Sequence, residues 1–69
     1  AGATAEDRKL VQIQVRQAEE AVKLAQAQYD RIAGQPFAAM MPEAYQLQQA
    51  TFGLEAAQTQ YAKVQKGAT

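Results

Sequence analysis

Any chemistry done by this chain would have to come from its carboxylates and amines, because it contains no histidine and no cysteine. Without them it lacks the imidazole bases, thiolate nucleophiles and His/Cys ligands on which most catalytic and metal sites are built. The acids are Glu6, Asp7, Glu19, Glu20, Asp30, Glu43 and Glu55, and they are scattered. Glu19 and Glu20 are adjacent, and adjacent helical residues point about 100° apart, so this pair cannot share a proton or a metal. Asp30 beside Arg31 reads as a solvated pair. Glu19 four residues before Lys23 is the favourable order for a helix-surface ion pair, and Arg16 before Glu20 the less favourable one. Each contributes about 0.2–0.5 kcal/mol. Catalysis, a cofactor and a metal are therefore not expected.

Charge narrows the partners. Seven basic and seven acidic residues give a net charge of zero. They form no basic stripe of the kind phosphate binding needs, so nucleic acid is not an expected partner, and a nucleic-acid-binding hairpin arm is disfavoured. No run of about 18 apolar residues is present to cross a bilayer, and no charged-then-apolar leader opens the chain. A membrane anchor, if the protein uses one, is expected in parts outside this segment. The lack of cysteine is compatible with an oxidising compartment without fixing one.

What remains are apolar residues that could bind, and the elements that position them. Ala, Gln, Glu, Lys and Arg dominate, and these favour helix over strand. Thr4 followed by Asp7 resembles a capping box, and Glu6 and Asp7 suit the positive end of a helix dipole. Helix one is expected from about residue 5 to 33. Gly34 is expected just past its end, at positive φ, and Pro36 forbids continuation. Pro42 suits the first turn of a second helix, whose end is expected near Lys66 with Gly67 as its stop. The turn is then 34–41.

Both helices carry a heptad seam. On the first, Val11, Val15, Ala18, Val22, Ala25, Tyr29 and Ile32 alternate spacings of four and three. On the second, Leu47, Ala50, Leu54, Ala57, Tyr61 and Val64 do the same. Pairing Ile32 with Leu47, Tyr29 with Ala50, and so on to Val15 with Val64, gives residue numbers that always add to 79. Val11 would continue the series to Ala68. One antiparallel register demands such a constant sum. Sizes also complement: both seam tyrosines face alanines, and Leu54 faces Ala25. The fold expected is all-α, an antiparallel two-helix coiled-coil hairpin whose helices alone give a rod of about 40 Å. Gly2-Ala3-Thr4 recurs as Gly67-Ala68-Thr69, which would set both termini at the base as in a segment inserted into a host domain.

Several large apolar residues fall off the seam. Leu10, Ile13 and Leu24 do so on helix one; Tyr45 and Phe52, seven apart, occupy outward f positions on helix two. Phe37, Met40 and Met41 lie in the turn, where they either fold back over Ile32 and Leu47 or present a partner surface. Gly53 in mid-helix costs about 1 kcal/mol relative to alanine and would permit close approach of a neighbour or a slight bend. Twelve glutamines keep the outer faces soluble and offer amide hydrogen bonds to neighbouring helices.

Positions 17–31, ending in Tyr29-Asp30-Arg31, positions 42–50, and the Gly-Ala-Thr-Ala-Glu-Asp run at 2–7 together resemble the α-hairpin of membrane fusion proteins. These are the hemolysin D-like periplasmic adaptor subunits of bacterial efflux pumps and type I secretion systems. The resemblance covers nearly the whole chain. It implies a hairpin inserted between the halves of a lipoyl-like β-domain and packed side by side with other adaptor copies as a homo-oligomer. The base would face an inner-membrane transporter, and the tip would dock on an outer-membrane channel of the TolC type. Localisation would be periplasmic, with an inner-membrane anchor elsewhere in the protein. The docking pattern in that family is an Arg, a Leu four residues on and a Ser seven residues after that. Arg31 matches the first, whereas Gln35 and Pro42 depart from the second and third. The identity of the tip partner therefore stays open. Arg31, Gln35, Phe37, Met40, Met41, Pro42, Tyr45 and Phe52 are the candidate contacts. The rival reading is a structural or protein-interaction coiled coil of an unrelated cytoplasmic scaffold or chaperone arm.

Overall fold

The computed structural model describes residues 4–66, so the expectations that fell on Gly67 and Ala68, and the repeated Gly-Ala-Thr ends, lie outside the described residues. Helix α1 spans Ala5–Asp30 and helix α2 spans Pro42–Lys66, with a short 3₁₀ turn, Ala38–Met40, between them. The two helices pack against each other, and the 3₁₀ turn packs on α2. The resulting rod measures 53 × 14 × 12 Å. It is longer than the helices alone, since 26 residues at 1.5 Å rise account for about 39 Å. No strand is present among the described residues.

Helix α1 starts as its sequence dictates. The Asp7 amide donates to Thr4 Oγ1 at 3.1 Å, and the Thr4 amide donates to Asp7 Oδ2 at 3.1 Å, closing the reciprocal box despite the short acid. Its other end departs from expectation. The α-helix stops at Asp30 and not near residue 33, because the Ile32 amide turns to the Tyr29 carbonyl three residues back, at 3.0 Å. The connection is correspondingly longer, 31–41 in place of 34–41.

That connection is a relay of three-residue turns. Gln35 donates to Ile32, Ala38 to Gln35, Met41 to Ala38 and Ala44 to Met41, with N···O distances of 2.9–3.3 Å. A repeat of three stacks side chains at i and i+3 on one side. Ile32, Ala38 and Met41 are buried or half-buried, whereas Gln35 in the same row is exposed, as are Phe37 and Met40 on the other side. The expectation that Gly34 takes positive φ is corrected: among the described residues Phe37 alone does so, at φ 66°. The reason lies in Pro36, which cannot itself take a positive φ or donate an amide hydrogen bond, so the reversal passes to the next residue.

Burial follows a single stripe on each helix. All thirteen heptad positions named above are buried or half-buried; within the helices, only Gln28, Glu43, Ala44 and Thr51 join them. Thr51 does so with its hydroxyl donated to the Leu47 carbonyl at 2.9 Å. The core is shallow. Its buried members are Ala25, Ala38 and Ala57, and among the described residues no large side chain is fully enclosed. An alanine brings the opposing backbone near, while larger neighbours such as Leu54 and Tyr61 keep one edge in solvent.

Candidate functional site

Side-chain polar contacts within the helices join residues three or four apart. Lys23 Nζ lies 3.4 Å from Glu20 Oε1, three residues back, with both side chains about two-thirds or more exposed. The partner is thus Glu20 and not the expected Glu19, and solvent screening leaves the contact weak. Asp30 accepts from Gln26 Nε2 at 2.8 Å, a partner on its own helix. Thr59 bonds the Glu55 carbonyl in the same intrahelical way at 2.9 Å. Among the described residues no three metal-capable side chains cluster, and no buried side-chain polar atom is orphaned.

The surface that stands out is apolar and lies at the turn end of the rod. Phe37 is 76% exposed and Met40 83% exposed. Of the two arrangements open at the sequence level, outward presentation holds for these two, whereas Met41 is half-buried and folds back. The plug beneath them is Ala38, at 7% exposure. From Ile32 to Pro42 the chain carries no charge, and Arg31 and Glu43 bracket this stretch. Phe37 holds its left-handed backbone while its ring gains little contact within the chain. A non-glycine residue in that region costs about 1–3 kcal/mol.

Two open grooves flank the tip. One, of about 420 Å³, is lined by Gln28, Arg31, Ile32, Pro42, Glu43 and Gln46. The other, of about 350 Å³, is lined by Tyr29, Ala39, Ala44, Leu47 and Gln48 and is the more apolar. Of the candidate contacts, Arg31 and Pro42 meet in the first groove. Gln35, Phe37 and Met40 lie on the turn, exposed. Tyr45 and Phe52 lie on α2, 63% and 51% exposed, Tyr45 in its first turn and Phe52 seven residues farther along the shaft.

On α1, Leu10, Ile13 and Leu24 are exposed by 55%, 42% and 63%. Gly53, next to Phe52, has no atom within 4 Å of where a Cβ would stand, so the chain itself makes no close approach there. Ala38 and the backbone of Phe37 were not singled out from sequence. The available signal was Pro36 followed by a bulky residue and two alanines.

Comparison with protein-family models, curated proteins and solved structures finds no match for this chain.

Proposed function

We propose that this hairpin is the helical domain of a membrane-fusion-type adaptor in a bacterial efflux or type I secretion complex. In this reading it packs side by side with other copies along its shaft and docks a partner through its tip. It is a conduit and coupling element with no catalysis of its own. It works in the periplasm, and the anchor and the contacts with an inner-membrane transporter lie in other parts of the protein.

The observation that supports this most is the tip: an uncharged turn at the far end of a 53 Å rod, presenting Phe37 and Met40 to solvent. Exposed aromatic and methionine side chains on a rigid shaft suit insertion into an apolar recess. The mismatches at Gln35 and Pro42 leave the tip partner as either a TolC-type channel or another protein with an apolar recess. The sequence of the intact protein on either side of this segment tests the assignment. Glycine-rich β halves of a lipoyl-like domain, with a membrane anchor upstream, are expected; a flanking sequence with neither would sink the adaptor reading.

A further inference from the structure

The strain at the tip has a release built into the residues beside it. Phe37 holds φ 66° and ψ 21°, a conformation that glycine takes freely and a bulky residue does not. Gly34, three residues earlier, stays outside that region, and open space surrounds the place where its Cβ would stand. Neither left-handed backbone nor close approach, the two uses of a glycine, is called on where the glycine sits. The end of α1 shows the same mismatch. Arg31 keeps helical dihedrals, φ −66° and ψ −26°, although the helix has stopped. The Ala33 and Gly34 amides donate to no group among the described residues.

We infer that the tip has a second, relaxed conformation in which α1 runs on to Ile32 and Gly34 takes over the left-handed position now held by Phe37. The exchange keeps the existing hydrogen bonds in number and adds to them. The Ile32 amide moves from the Tyr29 carbonyl, 3.0 Å away, to that of Gln28, which frees the Tyr29 carbonyl for the Ala33 amide. Gly34 then stands where a helix-ending glycine belongs. Its amide reaches the Arg31 carbonyl, and the Gln35 amide leaves the Ile32 carbonyl, now at 2.9 Å, for that of Asp30. Pro36 follows directly, as is common after such an end. Residues 35–41, at about 3.3 Å each, still reach across the roughly 8–10 Å between packed helices.

Packing holds the strained form. The 3₁₀ turn rests on α2 with Ala38 at 7% exposure. Its first hydrogen bond runs from the Met40 amide to the Phe37 carbonyl, at 2.9 Å, so the left-handed Phe37 sets the turn. Relaxing Phe37 loosens the seat of Ala38 and Met41. The two forms thus trade an unstrained backbone and a longer helix against the burial of one alanine and part of one methionine. A partner that grips the outward Phe37 ring favours the strained form, which couples docking to the end of α1. That use rests on the proposed docking through the tip; the two conformations do not.

Relaxation-dispersion and saturation-transfer NMR on the isotope-labelled chain, with no partner present, test the inference. Gly34 and Phe37 are expected to exchange between the same two states with one shared rate constant. Gly34→Ala fits the strained form, where the site is open and outside the left-handed region, and should lower the relaxed population about tenfold. Phe37→Val places a β-branched residue at positive φ and should raise that population severalfold. The inference is overturned by no exchange at Gly34 and Phe37, by exchange at Phe37 that Gly34 does not share, or by a population that Gly34→Ala leaves unchanged. Fraying of α1 alone, seen as random-coil shifts at residues 31–33 with Phe37 static, overturns it as well. Because the exchange is read without a partner, a flanking sequence that sinks the adaptor reading leaves this result standing.

Discussion

At the scale of single residues, the two positions that cost stability without a return inside the chain are Phe37 and Gly53. Phe37 holds φ at 66° with its ring 76% exposed. Phe37→Gly is therefore expected to leave the hairpin as stable as before or to raise its stability by up to about 1 kcal/mol. Thermal unfolding followed by circular dichroism checks this, and a lower melting temperature would show that the ring packs on the turn after all. Gly53 lies in mid-helix with open space where a Cβ would go. Gly53→Ala should stabilise the isolated chain by about 0.5–1 kcal/mol, read from urea denaturation. In an assembly that uses the space over Gly53, the same change should weaken association, which separates the two roles of the residue.

The elements owe their ends and their faces to different forces. The start of α1 is local chemistry, a hydroxyl and a carboxylate three residues apart, and Thr4 and Asp7 made it legible in the sequence. The end of α1 is not local in this sense. Nothing in Arg31, Ile32 and Ala33 forbids α-helix, yet the chain leaves it at Asp30. The reversal must deliver Pro42 beside Ile32, and the three-residue hydrogen-bond relay does this by tightening the last turn. The buried face of each helix, in contrast, follows from heptad spacing alone. Ala25 at 6% exposure and Ala57 at 9% are its tightest points. Ala25→Trp is expected to overpack the seam and cost about 1–3 kcal/mol. Ala27→Trp, two residues on and exposed, should cost well under 1 kcal/mol and serves as the control. Equal melting of the two variants by circular dichroism would contradict the assigned buried face.

For the molecule as a whole, shape and stability are linked. A rod 12–14 Å across has room for one seam and for no side chain surrounded on all sides. Its three most buried residues are alanines, each contributing little apolar area, while seven large apolar side chains stay in solvent. Such a hairpin is expected to gain stability from association, so its melting temperature should rise with protein concentration. Phe52→Ser should flatten that dependence while leaving the helical signal of the dilute chain intact, since Phe52 is half-exposed and outside the seam. Loss of helicity in dilute Phe52→Ser would mean that Phe52 belongs to the hairpin's own core.

The helical class, the hairpin and the stripe each helix buries were legible in the residues themselves. Capping, proline placement and heptad spacing are short-range codes, and nothing distant competes with them in so short a chain. Tertiary structure alone decided the tip. Two methionines side by side, Met40 and Met41, have the same propensities, and only the turn geometry sends one out to 83% exposure and folds the other back. The same geometry passed the left-handed position from Gly34, where glycine would have taken it at least cost, to Phe37. Closing the hairpin fixes where both helix ends must lie. With Pro36 unable to reverse the chain, the residue after it takes the strained conformation and carries an aromatic ring to the end of the rod.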